Sequence, residues 1–432
     1  MEKSGEMETI LDALIELIEE DVTEALGCTE PVAVAYCANV AGGFVNRDKT
    51  TKIDVYTSKN VYKNGKSVKI PNTGACGLDL AATVGVFAEK SEHAMQVFGR
   101  ADDEVIARAK AFVADGKVRV AYLEDTPDIY VRIELVAGED RVTAELAHSH
   151  THIERVVVNG ETVLDNEKKD AADVETSFDM RSLSFAKLRE IIDEAPFEKL
   201  AFTLDGVDVN MRAAMEGLKG YGSKLGKTLN ELKKTGVLAD HFVTDARILT
   251  AAAADMRMGG GNASIMTSGG SGNQGIGVIL PIAVVAKEEG ASDDKLARAI
   301  FFGHAINRYV KEYSGKLSGI CGCAIASGIG ASAGIVYLLD GTDEQIAGAC
   351  QNLYANLTGM ICDGAKESCA LKLSTSAEEA ILSAYLAKNG VVSEKGVGVL
   401  GNTIEETVLN IGKLSRKAFT HVDEEMLKII GE

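Results

Sequence analysis

The chain has 432 residues, 46% of them hydrophobic and 25% charged, which suits a globular protein of two or three packed units and excludes a disordered or low-complexity one. Its formal net charge is −19, whereas a surface that wraps nucleic acid or anionic lipid needs clustered Lys and Arg; neither a nucleic-acid nor a membrane partner is expected. The start, MEKSGEMETILDALIELIEEDV, is acidic and amphipathic where a secretory leader would be basic and then apolar, so the expected location is cytoplasmic.

Residues 6 to 24 carry Ile10, Leu11, Leu14, Ile15, Leu17 and Ile18 at helical spacing and predict an amphipathic helix running into ALGCTEP. Pro31 stands where a second helix would begin, which puts Cys28 at a helix junction. Residues 1–50 are expected to pack on the helical part of the protein. From 51 to 165 the texture alternates through KIDVYTS, SVKIPNT, KVRVAYLED, DIYVRIELVAG, RVTAELAHSH and IERVVVNG, the pattern of a half-buried antiparallel sheet. Helical stretches interrupt it, so 51–175 is expected to be an α+β domain, with charged NEKKDAADVE at 166–175 as its connector. After about residue 180 nearly everything has the helical period, and 176–432 is assigned to a helical domain. The predicted class is α+β: a smaller antiparallel-sheet region joined to a larger, mostly helical one. One uncharged stretch, Leu317 to Leu339, has the length to cross a bilayer, but its Gly, Ala and Ser content predicts a closely packed buried helix instead.

Eight cysteines in such a chain read as buried thiols, metal ligands or reactive groups rather than as a disulfide framework. Four fall in SGICGCAIASG and GMICDGAKESCALKLSTS. Thiolates are soft ligands suited to iron-sulfur clusters or zinc. Cys323, Cys362 and Cys369 offer three of them from two segments, with Cys321 the competing first ligand. On one unbroken helix Cys362 and Cys369 would stand roughly 10 Å apart; Gly364 between them is expected to break it. Three ligands on a four-iron cluster would leave one iron open to act as a Lewis acid. The alternative is four ordinary buried thiols in a helical core.

The loop TSGGSGNQGIG, residues 267–277, presents Ser271, Asn273 and Gln274 between glycines before an apolar helix, where backbone N–H groups could dock a carboxylate. Asn72 and Thr73 in PNTG are a lesser candidate of the same kind. Cys28, followed by Thr29, Glu30 and Pro31, sits at a helix start, and a helix N-terminus is expected to lower its pKa. Two further motifs are refused. GYGSKLGKT at 220–228 mimics a phosphate loop but has Tyr221 where the first Gly is needed and helix rather than strand before it. His148, His150 and His152 would share one face of a strand, which reads as polar sheet surface rather than as zinc site.

Taken together, ALGCTEPVAVAY, IPNTGACGLDLAA, SGGSGNQGI, CGCAIASGIGASAGI and CDGAKESCALK resemble, in that order, the L-cysteine desulfidase family, which is related to the α chain of the iron-sulfur L-serine dehydratases. The resemblance runs from about Cys28 to the C-terminal helices. It implies a 4Fe-4S cluster on Cys323, Cys362 and Cys369, and Cys28 as proton acceptor. The implied reaction is α,β-elimination from a small amino acid, L-cysteine, to pyruvate, ammonia and hydrogen sulfide. L-serine dehydration on the same cluster is the nearest alternative, and a non-catalytic iron-sulfur redox sensor the alternative of another class. Assembly into a homo-oligomer is compatible with the sequence.

Overall fold

The computed structural model describes residues 2–166, 178–315 and 319–431, residues 2–6 by their backbone alone. The chain opens with α1 (Glu2–Asp21), the two-residue strand β1 (Glu24–Ala25) and α2 (Thr29–Gly42). Next come β2 (Thr50–Ser58), α3 (Lys59–Gly65), α4 (Leu78–Phe87), α5 (Asp103–Ala114) and the strands β3 (Val118–Leu123), β4 (Tyr130–Ala137), β5 (Asp140–Ala147), β6 (Ile153–Val158) and β7 (Glu161–Asp165). The remainder is helical apart from the short strand β8 (Ile265–Met266). Its helices are α6 (Phe185–Glu194), α7 (Phe197–Leu200), α8 (Asp205–Gly217), α9 (Leu225–Lys234), α10 (Phe242–Met258), α11 (Gly272–Glu288) and α12 (Asp293–Ser314), followed by α13 (Ala326–Leu338), α14 (Asp343–Leu357), α15 (Cys369–Lys388), α16 (Ile404–Lys417) and α17 (Phe419–Gly431). This is the expected α+β class; residues 167–175 of the expected connector lie outside the described residues.

Among the described residues the larger sheet has the order β3-β2-β4-β5-β6-β7. Residues of β4 alternate strictly between buried and half-buried, so one face of the sheet is a core face. The expectation of a wholly antiparallel sheet is corrected at one edge. There β2 runs parallel to β3, from Ile53 opposite Val118 to Ser58 opposite Leu123, because α3, α4 and α5 supply the long crossover that a parallel pair requires. SVKIPNT is not a strand: it contributes a single bridge, Lys69 to Cys76, since Pro71 and Asn72, the latter at φ +61°, turn the chain back at once.

The expected N-terminal unit 1–50 is divided between two cores. α1 places Leu11, Leu14 and Ile18 against Phe185, Leu188 and Tyr309 of the helical body. α2 is apolar all round and almost wholly buried, so it joins the sheet core with Val32, Val34, Val131, Ile133 and Leu135.

The uncharged stretch beginning at Leu317 is not one long helix. Within it α13 covers only Ala326–Leu338 and is buried throughout. Among the described residues no helix is long and apolar enough to cross a membrane. Small residues let α13 lie close to α12: a Cβ on Gly330 would come 2.5 Å from the carbonyl oxygen of Gly303. Gly→Ala in an exposed helix usually stabilises by up to about 1 kcal/mol. At Gly330 the sign should reverse, Gly330→Ala costing about 1–3 kcal/mol by overpacking, read as a lower midpoint in urea with an unchanged slope.

α12 also buries His304, whose Nδ1 lies 2.8 Å from Ser268 Oγ, while Asn307 Nδ2 donates to the same oxygen at 2.9 Å. Burial pushes the His304 pKa down to about 3, against a smaller upward pull from Asp21. Between the ordinary histidine range and pH 3 the unfolded chain therefore takes up a proton that the folded chain refuses. Stability contributed by neutral His304 is present above about pH 6.5 and is lost as pH falls, at about 1.4 kcal/mol per pH unit. His304→Asn should be less stable at pH 7 yet lose less stability between pH 6.5 and 4.5, measured by denaturant unfolding at each pH.

Candidate functional site

Two short backbone pairings assemble the site. In the first, β1 and β8 run antiparallel with Glu24 opposite Met266 and Ala25 opposite Ile265. Thr267 N–H extends it to Thr23 O at 3.0 Å, and Gly270 N–H donates to Asp21 O at 3.1 Å. This holds the turn at Gly27, at φ +85°, beside the start of α11. In the second, Ile320 bridges Ile361, with Cys321 N–H donating to Met360 O at 3.0 Å and Cys362 N–H to Gly319 O at 2.8 Å. The two cysteine segments thus lie side by side. Gly364, at φ +90° and with no room for a Cβ beside Lys63 O, then reverses the chain so that Cys369 opens α15.

One cavity of about 80 Å³ is lined by Cys28, Ser271, Asn273 and Gln274 together with Cys321, Cys323, Cys362 and Cys369. A single water needs about 10–15 Å³ measured the same way, so there is space for a small polar molecule. Asn72 and Thr73 are not in the lining, which removes them from the expected substrate-binding set. Their polar groups are used elsewhere: Asn72 Nδ2 donates across to Asn262 Oδ1, beyond α10, at 3.3 Å, and Thr73 Oγ1 serves the local turn, donating to Ile70 O at 2.8 Å while accepting from Ala75 N–H.

Several lining residues do not stand out in the sequence, Asn64, Arg257, Lys311 and Lys372, while His150 is weighed only as a zinc ligand and refused, and Glu30 noticed only as part of a helix start. His148, His150 and His152 do not alternate along a strand. They sit in the turn between β5 and β6, His148 at φ +67°, and that turn carries His150 alone into the cavity. The available signal for Arg257 was its place, with Asp255, at the end of a helical run of small and apolar residues, TAAAADMRM, where charged side chains are seldom buried without a purpose. The refusal of a phosphate loop at 220–228 has a structural counterpart, because Asp255 occupies the start of α9, accepting from Ser223 Oγ at 2.6 Å and Gly226 N–H at 2.9 Å.

Cys28 is the N-cap residue of α2 but caps nothing with its side chain. Its Sγ donates to Glu30 Oε2 at 3.1 Å. Thr29 Oγ1 donates to the same oxygen at 3.0 Å, and Asn64 Nδ2 to Oε1 at 3.1 Å. The expected lowering of the Cys28 pKa is overturned. Burial pushes the thiol well above its ordinary range, the Glu30 charge adds to that, and Arg257 only partly opposes it. Burial acts on Glu30 in the same upward sense, but the His150 charge, the Cys28 hydrogen bond and Arg257 outweigh it and hold the carboxyl below its ordinary value. Deeper in, a hydrogen bond between Cys321 and Cys323 lowers Cys321 to about 7 and raises Cys323. Arg257, Lys311 and Lys372 line the cavity together with one carboxylate, Glu30, in a chain of net charge −19.

Among the described residues no group of three His, Cys, Asp or Glu side chains is gathered tightly enough to hold a single metal ion. Four thiols around one cavity are a different arrangement: a cluster takes each ligand on a different iron, so its thiolates stand farther apart than those on one ion.

A family model described as the serine dehydratase alpha chain matches residues 142–428, a stretch that includes the 267–277 loop and Cys321, Cys323, Cys362 and Cys369. Over nearly its whole length the chain is also similar to a "UPF0597 protein" of Clostridium botulinum (strain Okra / Type B1), 48% identical over 423 residues that cover 98% of this chain and 97% of the relative. A protein of the same description from Desulfatibacillum aliphaticivorans is 38% identical over 427 residues, 96% of this chain and 97% of the relative. One from Alkaliphilus oremlandii (strain OhILAs) is 38% identical over 418 residues with the same two shares. With two thirds of its length matched, including the cysteine segments that build the cavity, the chain belongs to the serine dehydratase alpha-chain family.

Proposed function

We propose that the protein is an iron-sulfur lyase that converts L-cysteine to pyruvate, ammonia and hydrogen sulfide. The observation that carries this reading is the convergence of Cys28, already donating its thiol proton to a buried carboxylate, with four later cysteines on one cavity. The donor set suits a 4Fe-4S cluster, with Cys323, Cys362 and Cys369 as the residues that would hold it and Cys321 as the hydrogen-bonding neighbour of Cys323. When bound, such a cluster supplies an open iron that acts as a Lewis acid towards the leaving group.

The protein's own residues manage the proton. Cys28 Sγ donates to Glu30 Oε2 over 3.1 Å, which fixes where the sulfur stands. The proton rests on sulfur, because the thiol is held above its ordinary range and the carboxyl below it, and the base is the fraction of Cys28 that has given its proton to water before the substrate enters. The sulfur so released takes the proton from the substrate Cα. The electrons of that C–H bond become the Cα=Cβ bond, and the Cβ–S pair leaves with sulfide. The aminoacrylate that remains tautomerises to the imine, and water hydrolyses it to pyruvate and ammonia. Thr29 and Asn64 keep Glu30 in place by donating to its Oε2 and Oε1. Burial of all these groups keeps bulk water from competing for the proton.

The description of the matched family favours a second reading, L-serine as substrate, which changes only the leaving group from sulfide to water. Sulfide from L-cysteine and ammonia from L-serine, assayed side by side on anaerobically purified protein, separate the two. The expected result is sulfide and pyruvate in equal amounts, faster than ammonia from serine. Cys28→Ala should keep its fold and its iron, since it removes no ligand, and lose roughly two to four powers of ten in kcat. Cys323→Ser should lose iron. A Cys28→Ala enzyme with normal kcat would move the base elsewhere, and one altered only in KM would make Cys28 a binding residue.

A further inference from the structure

Arg257, in the last turn of α10, is 2% exposed. Its Nε donates to Gly27 O at 3.1 Å and its Nη1 to Asn273 Oδ1 at 3.0 Å, while its Nη2 is buried with no partner. No ion pair among the described residues includes it. Glu30 is close enough for its charge to be felt but has its own donors in Cys28, Thr29 and Asn64. The guanidinium lies against the start of α11: a Cβ on Gly272 would fall 2.5 Å from Arg257 Nε.

For the protein's own groups this placement is unfavourable twice over. Burying an unpaired cation costs desolvation, and the N-terminus of a helix is itself the positive end of its dipole. An anion that enters offsets both costs, because the guanidinium and the free N–H groups of the first turn then act on it together. Ser271, the N-cap residue, makes no side-chain cap that would fill the place.

A second orphan completes the pattern. Gln274 is 5% exposed, lines the same cavity, and its Oε1 is buried with no donor. The absence of a side chain at Gly322 makes room for this amide, since a Cβ there would stand 2.8 Å from Gln274 Nε2. An unsatisfied cationic donor and an unsatisfied neutral acceptor in one small cavity are complementary to a carboxylate and an ammonium on one small molecule.

We propose that Arg257 Nη2, with the N–H groups opening α11, binds the α-carboxylate of an amino-acid substrate and that Gln274 Oε1 accepts from its α-ammonium. The proposal rests on reading the cavity as the site of a lyase for a β-substituted amino acid, and names the groups by which it would recognise that class. Asn273 is then a positioning residue, its amide oxygen being engaged by Arg257 Nη1.

The test is calorimetric titration of the anaerobically purified, cluster-loaded protein with three probes that cannot undergo elimination. L-Alanine carries both groups, propionate only the carboxylate and ethylamine only the ammonium. L-Alanine should bind at least roughly tenfold more tightly than either fragment. Arg257→Lys, which keeps the charge but loses the planar fork, should weaken L-alanine about tenfold, and Arg257→Gln roughly a hundredfold. Gln274→Ala should weaken L-alanine while leaving propionate unchanged. Circular dichroism shows whether Arg257→Gln folds; if it does not, Arg257→Lys and the three probes on the unaltered protein decide. Ethylamine bound as tightly as L-alanine, or L-alanine bound normally by Arg257→Lys and by a folded Arg257→Gln, would overturn the proposal. L-Alanine bound through Arg257 by a protein that releases neither sulfide from cysteine nor ammonia from serine would uphold it and remove the lyase reading. Normal sulfide release by Arg257→Gln would do the reverse.

Discussion

The pairing of Glu24–Ala25 with Ile265–Met266 is the constraint on which the site depends. It joins segments some 240 residues apart in the chain, and the cavity combines groups from both sides of it. Cys28 and Glu30 follow one strand within a few residues; Ser271, Asn273 and Gln274 follow the other. So short a ladder cannot hold itself, since each backbone hydrogen bond contributes only about 1 kcal/mol net. Its register is held by burial: Ala25 and Ile265 are fully buried, and a slip of one residue would turn both towards the opposite face. Thr267 Oγ1, donating to Asp21 O at 2.7 Å, ties the end of the ladder to the end of α1. The helical core and the sheet core are thereby fixed to one another at the place where their functional residues meet.

The competition at Cys28 shows how magnitudes decide a site's chemistry. A helix N-terminus favours a nearby anion by about 0.3–1 kcal/mol, less than one pKa unit. Full burial can shift a thiol several units upward, and a carboxylate 3.1 Å away acts in the same direction. Burial and like charge therefore win, and Cys28 rests as a thiol. A buried base of this kind must be held in place while it carries its proton, and Glu30 does so by accepting the thiol's hydrogen bond. The sequence context CTEP contains both partners, but nothing in it shows that the carboxylate folds back on the thiol rather than out to solvent.

Periodicity made the α+β class legible, with its sheet between 50 and 165 and its helices beyond 180, because both patterns are local consequences of which face is buried. The pairing partner of β3 was not legible: a strand's alternation is the same beside a parallel or an antiparallel neighbour. α2 was misplaced for a related reason, since a helix apolar on all sides does not say which core it enters. Thiols at Cys321, Cys323, Cys362 and Cys369 and the polar positions of the 267–277 loop could be picked out as chemistry-bearing types in Gly-rich surroundings. Asn72 and Thr73 carried the same surface signal, but Thr73 is spent on its own turn and Asn72 on a contact with Asn262. Asn64 and Arg257 were missed because each reaches the cavity from a helix whose local pattern has a sufficient structural explanation, and His150 was set aside because the alternating histidines read as a strand face where the chain makes a turn.

The cavity's cations are not equivalent, and the difference bears on what the site can select. Lys372 Nζ donates to Ile361 O at 2.8 Å and to Asp363 Oδ1 at 2.7 Å, so its charge is largely compensated and its role is to tie the second cysteine segment to the start of α15. Lys311 Nζ donates to the carbonyl of Gly269 and braces the Gly-rich loop from α12. Arg257 is fastened by two of its three nitrogens to Gly27 and Asn273, which come from distant parts of the chain, and this fixes the plane of the guanidinium while leaving Nη2 unmet. A lysine in that position would have the charge without the plane. Folding has thus left one cation rigid and incompletely satisfied beside a helix N-terminus, and an anion that enters the cavity restores what burial took from that group. Selection for a carboxylate would then follow from the stability of the folded protein itself, with no need for the cavity to rearrange on binding.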